Sequence, residues 1–253
     1  MNPRAARLLR LLAEQAAPEQ PGPGAVCRVA TEVCGVDEAA LLLGRGRRRG
    51  TLHCTGELAE AVEDLQVTTG EGPGVDAWET RGPVTAADLG ERSYVVRWPV
   101  FTPLAHAAGL CAVFVLPLQV GAVRLGTLSL YRCTPGGLSD EEGTDALLLS
   151  TMAVDQLLAL SSSTRADGTD GCRTPGADAL GLGAGSLQIY QATGMAAAQL
   201  GLGLEDAFAR LRASAFSGGR PLAAVARDVV NGVLDFTEDD GPGGIGPAGA
   251  EDR

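Results

Sequence analysis

Residues 161–183, SSSTRADGTDGCRTPGADALGLG, do most to limit what this chain can fold into. These 23 residues show no apolar periodicity, and Ser, Thr, Gly, Asp and Pro supply turns rather than a buried face. One continuous core cannot run through such a segment, so one core is expected before it and a second after it. Length allows this: 253 residues suit one large or two modest domains at about 100 to 200 residues each. As a flexible coil the segment spans about 25 Å.

Before it, the pattern is mixed. Residues 2–17 predict an amphipathic helix through Leu8, Leu9, Leu11 and Leu12, stopped by PEQPGPG. AVCRVATEVCG predicts a helix, AALLLG and TLHCT two strands joined across GRGRRRG, and ELAEAVEDLQVTTG a helix with Leu58, Ala61, Val62 and Leu65 on one face. EGPGVDAW reads as a Gly/Pro-rich loop. CAVFVLPLQ (111–119) and RLGTLSLYRC (124–133), linked by VGAV, are the strongest strand pair. In 138–160 the helix start is written out, with Ser139 as cap and Asp140, Glu141 and Glu142 in the first turn, where acids complement the helix dipole.

After the segment, three short helices are expected. One at about 186–200 carries Ile189, Ala192, Ala196 and Leu200; one at 204–216 carries Phe208, Leu211 and Ala215; one from Pro221 runs through Leu222, Val225, Ala226, Val229, Val230, Val233 and Leu234. The tail 237–253 has five acids against one arginine and a disorder composition.

Composition excludes several function classes. A net charge of −11 argues against coating nucleic acid by charge alone, though not against a local binding face. Six cysteines without a CxxC, and only His53 and His106 as histidines, leave little for a zinc site, a disulfide framework or a Ser/His/Asp triad. The glycine-rich runs lack Walker and GxGxxG spacing. No stretch reaches the roughly 18 apolar residues of a membrane helix, and the N-terminus lacks a signal peptide's apolar block. A soluble cytoplasmic non-enzyme without cofactor or metal is expected.

The passage IYQATGMAAAQLGLGLEDAFARLRASAFSGGRPLAAVARDVVNGVL resembles an ANTAR domain, the small helical RNA-binding module of transcription antitermination regulators. LQVTTGEGPGVDAW, TRGPVTAADL and AVFVLPLQVGAVRLGTLSLYR resemble a GAF domain of the kind fused to ANTAR in actinobacterial regulators. The resemblance implies an α+β fold: a GAF-like antiparallel sheet flanked by helices over 1–160, the linker 161–183, an ANTAR-like three-helix bundle over 184–236, and the tail. It implies a homodimer whose sensor controls binding of stem-loops in nascent transcripts. The alternative is a protein-interaction or dimerisation bundle beside a degenerate GAF domain.

Candidate RNA contacts are Tyr190, Gln191, Thr193, Gly194, Arg210, Arg212, Arg220 and Arg227. The arginines supply phosphate contact or base stacking, and Tyr190 lies one helical step off the apolar face, where it can stack on a base. Thr193 stands where many ANTAR modules carry lysine. In the sensor, Trp78, Tyr94, Trp98, Phe114 and Tyr131 are candidates to line a pocket for a small planar ligand.

Overall fold

The computed structural model describes residues 2–15, 23–45, 48–166 and 184–236, in two compact units divided between Leu187 and Gln188. The fold class is α+β, an antiparallel sheet with flanking helices followed by C-terminal helices.

In the first unit, five strands pair antiparallel in the order β2-β1-β5-β4-β3: β1 Glu38–Arg45, β2 Arg48–Cys54, β3 Val84–Ala86, β4 Ala112–Val120 and β5 Val123–Arg132. The expected strand pair is the centre of this sheet. Val120 opposes Val123, and Gly121 between them takes φ +56°, which tight twist-matched hairpin turns require. Arg45 opposes Arg48 at the tip of the first hairpin, so GRGRRRG is its turn region, with 46–47 outside the described residues. Gly126 lies where β5 meets β1; a Cβ there would collide with the Leu42 carbonyl, so any larger residue must push the strands apart.

Alternation along the strands separates two cores. On one face Leu41, Phe114, Leu116, Leu128 and Leu130 pack with α1 Pro3–Glu14, α2 Pro23–Val33 and α7 Asp140–Ala166. On the other, Ala40, Leu42, Val113, Val115 and Tyr131 lie beneath α3 Glu57–Thr69, α4 Pro73–Thr80, α5 Arg92–Arg97 and α6 Phe101–Ala107. Polar caps come from distant sequence. Glu38 on β1 accepts from the Ala59 amide in the first turn of α3 (2.6 Å), and Glu71 accepts from Val100 and Phe101 at the start of α6 (2.5 and 2.7 Å).

Three expectations are corrected. EGPGVDAW is not a loop: Gly70 ends α3 in the left-handed region at φ +73°, and Pro73 then opens α4, because a first-turn proline loses no helical hydrogen bond. The α7 helix continues to Ala166, into the segment expected to be linker; 167–183 and the tail lie outside the described residues. It buries Ala146, Leu149, Ala153, Val154 and Leu157; Leu147 and Leu158, which the apolar run of 138–160 also predicts to pack on a sheet or a twin helix, are exposed.

The second unit comprises α9 Leu204–Ser217 and α10 Leu222–Val230, which pack on each other, and α8 Ala184–Leu200, which begins before the unit boundary. Ala192, Ala196, Phe208, Leu211, Ala215, Leu222, Val225, Ala226 and Val229 are buried as the spacing predicts. The third helix is shorter than expected. It stops at Val230, since Asn231 caps it and Gly232 turns the chain at φ +69°, so Val233 is exposed.

Candidate functional sites

Helix α9 orders its charges along its length. Glu205 and Asp206 occupy the first turn, and from Ala207 to Arg227 the sequence holds four arginines and no acid. Arg210 and Arg227 are exposed, and Arg212 is half-buried. Arg220 follows the corner at Gly218–Gly219, where Gly219 adopts φ +58° and the Arg220 amide donates to the Ala215 carbonyl at 3.0 Å. Its guanidinium donates to Asp228 Oδ2 at 2.6 Å with its side chain 49% exposed. A pair so wet holds the arginine weakly and leaves it available to another anion.

On α8, Gln191 and Gly194 are exposed and Tyr190 is half-buried. Thr193 is corrected as a contact: it is 3% exposed, and its hydroxyl donates to the Ile189 carbonyl one turn earlier at 2.7 Å. A small side chain that bonds its own helix fits the inner face. Of the expected contacts, Gln191, Gly194, Arg210, Arg220 and Arg227 are exposed and Tyr190 and Arg212 half-buried.

In the first unit the five aromatic candidates do not line one pocket. Phe114 is corrected: it lies on the opposite face of the sheet from Tyr131, because one residue's shift in alternation changes faces. Trp78 on α4 is covered by the Arg124 guanidinium at 4.5 Å, which also donates to the Trp78 carbonyl at 2.6 Å. Tyr94 stacks on Trp98 (5.6 Å between centroids), Trp98 meets Phe101 edge-on, and its indole nitrogen donates to Asp76 at 3.2 Å.

Polar groups that the aromatic pattern did not reveal converge beneath α3. The Tyr131 phenol donates to Glu63, Gln66 donates to the other Glu63 oxygen at 2.9 Å, and the Gly74 amide donates to Gln66 at 2.6 Å. This chain joins β5, α3 and α4 through side chains that are all buried. Burial, then the neighbouring Glu63 carboxylate, raises the phenol well above its usual pKa, so it remains a donor at neutral pH. Thr127, Ser129 and Tyr131 occupy the same face of β5, the central strand, while Leu128 and Leu130 face the other core. Both Thr127 and Ser129 are fully buried; Ser129 lies beside the Tyr131 phenol and acts on it through a side-chain hydrogen bond, whereas the Thr127 hydroxyl makes none. The signal was present in sequence as period-two alternation, Thr-Leu-Ser-Leu-Tyr, with every inward residue hydroxylated.

Cys27 and Cys34 are buried and their thiols are pushed up to about 12, chiefly by that burial, so they behave as small apolar groups. Among the described residues no group of three or more His, Cys, Asp or Glu side chains is placed to hold a metal ion, and no helix is long and apolar enough to cross a membrane.

Residues 186–230 match the family model of the ANTAR domain. No curated protein matches the chain. Among solved structures, the GAF domain of an Acinetobacter phosphoenolpyruvate-protein phosphotransferase is similar at 9% identity, over 64% of this chain and 96% of that one, with a TM-score of 0.47. The GAF domain of the Coxiella burnetii phosphotransferase is 17% identical over 65% of this chain and 99% of that one, TM-score 0.46. The GAF domain of a Bacillus halodurans two-component sensor histidine kinase is 11% identical over 63% and 97%, TM-score 0.41.

Proposed function

We propose that this chain, which carries an ANTAR domain at residues 186–230, is a signal-responsive RNA-binding regulator of transcription antitermination. The ANTAR match carries the reading, and the acid-free stretch of α9 and α10 supports it. The first unit, through α7, acts as a GAF-like sensor, and the helices of 184–236 hold paired hairpin loops in nascent RNA so that a competing terminator hairpin does not form. Unpaired loop bases are read by stacking and edge hydrogen bonds, with few arginines on phosphate, so a unit without surplus positive charge suffices. Exposed Gln191, Gly194, Arg210, Arg220 and Arg227, with half-buried Tyr190 and Arg212, form the binding face. No covalent chemistry is required.

The sensor's ligand is a small molecule that contacts the face beneath α3, where the buried Thr127 hydroxyl has no partner among the described residues. To regulate, it must bind the RNA-competent and RNA-incompetent states with different affinity. The protein works in the cytoplasm as a homodimer.

The test is an electrophoretic shift of RNA bearing two linked hairpin loops by the full chain. A loop-dependent complex at about 1 μM protein, a binding free energy near −8 kcal/mol, is expected; no shift of looped over unlooped RNA overturns the reading. The balance of four arginines against Glu205, Asp206, Asp228 and Asp235 in the helical unit, with Thr193 buried, favours a second reading, a bundle that binds protein instead. Arg212→Ala with Arg220→Ala separates them: RNA binding falls with self-association intact in the first reading, and self-association falls in the second.

A further inference from the structure

Among the described residues, Phe216 is the one aromatic side chain in the exposed class, at 56% exposure. The chain has few aromatics, and the others described are buried or half-buried. A single exposed apolar residue is ordinary on a protein surface, but the position of this one is unusual. It sits in the last turn of α9, next to Ala215 of the buried stripe but rotated off it. Arg212 lies one turn earlier at i−4, the spacing of neighbours on a helix surface. Arg220 follows the turn, its aliphatic stem passing Gly218, where an added Cβ would lie 3.6 Å from the Arg220 Cδ. Between the aromatic ring and Arg220 stand only Ser217, Gly218 and Gly219. An added Cβ at Gly219 would meet nothing within 4 Å, so the backbone at this corner is uncovered there.

An exposed aromatic ring with Arg212 one helical turn before it and Arg220 four residues after it, beside bare backbone, matches the chemistry of a nucleotide: a π surface for the base and guanidinium groups for the flanking phosphates, Arg220 exchanging its exposed pair with Asp228 for a phosphate. A protein partner of apolar character would need a wider patch than one ring, and Ala213, Ser217, Gly218 and Gly219 around it are small. We propose that Phe216 is the stacking platform for an unpaired loop base of RNA, with Arg212 and Arg220 on the phosphates beside it. This rests on the RNA-binding reading above and adds to it a residue outside the arginines and the outer face of α8.

The test compares the full-length chain with Phe216→Ala, Phe216→Leu and Phe216→Trp, using RNA with two linked hairpin loops carrying 2-aminopurine at successive loop positions. Stacking on aromatic side chains predicts that Phe216→Ala binds roughly 5- to 100-fold more weakly. Phe216→Leu, which keeps the apolar surface but has no π face, loses a similar factor, whereas Phe216→Trp retains binding. At one loop position the fluorescence of 2-aminopurine changes on binding to the wild type and to Phe216→Trp but not in complexes formed at higher concentration with Phe216→Leu. Wild-type binding of the loops with all variants equal to it overturns the proposal and leaves the RNA-binding reading standing. Leu as effective as Phe, or loss of self-association in place of RNA affinity, overturns it as well. Failure of the wild type to bind any looped RNA overturns both.

Discussion

Thr127 and Ser129 show how far one residue's environment departs from its type. Hydroxyl side chains are ordinary on strands, yet here both are fully buried and that of Thr127 makes no hydrogen bond. A buried polar atom left in this state costs about 1–3 kcal/mol. In the ligand-free protein, Thr127→Val, nearly isosteric and without the unsatisfied group, is therefore expected to raise Tm by about 2–4 °C for each kcal/mol recovered in a chain of this size. A thermal melt of the purified variant reads this directly. A lower Tm would mean that the hydroxyl already has a partner in solution. Tyr131 and Glu63 are the opposite case: phenol, carboxylate and Gln66 amide satisfy one another, so loss of any member strands the rest.

The start of α7 is where local sequence and observed geometry agree most closely. The Ser139 amide donates to Glu142 at 2.7 Å and the Glu142 amide donates back to Ser139 Oγ at 3.3 Å, a reciprocal capping box. Arg132, which also bridges Cys34, Gly35 and Gly137 carbonyls, lies 3.6 Å from the other Glu142 oxygen. The Ser139 backbone hydrogen bond is the main cause that lowers the Glu142 pKa. A depressed carboxylate stabilises the fold above its unfolded pKa of about 4.3, and that contribution disappears as pH falls through the lower folded value. Ser139→Ala is expected to cost about 1 kcal/mol at neutral pH. The Tm difference between wild type and Glu142→Gln should shrink as pH is lowered from 5 toward 3, measured by circular dichroism. A gap independent of pH would refute the capping account.

At the scale of the whole molecule, net charge and binding charge are different quantities. The chain carries −11 overall, of which the tail 237–253 supplies −4, while the proposed RNA face has only Arg210, Arg212, Arg220 and Arg227. Four phosphate contacts at most give a slope of log K against log salt no steeper than about −3, at roughly −0.7 per single-stranded contact. Binding titrations between 50 and 300 mM salt test this, and a slope near −6 would require cations outside the helical unit. Affinity must then come largely from stacking and hydrogen bonds, which salt hardly screens.

Several features were legible from residues alone because their cause is local. The central hairpin followed from alternating apolar runs around Gly121, the α7 start from Ser139 and its acids, and the helical unit from the stripes through Phe208, Leu211, Val225 and Val229. The α4 helix was hidden because Gly and Pro mark turns and helix starts alike, and Pro73 served as a start. The functional faces depended on tertiary structure. Phe114 and Tyr131 belong to opposite cores because sheet register, not aromatic character, assigns a side chain to a face. Thr193 turned inward and Phe216 outward, since each helix is rotated to bury its whole stripe rather than to present any one residue. Composition and periodicity by themselves determined that the chain would divide into two units and supplied most of the elements that build them. Which side chains remained for a ligand or a base was decided only when the elements packed, because burial is a property of neighbours brought together from distant parts of the chain.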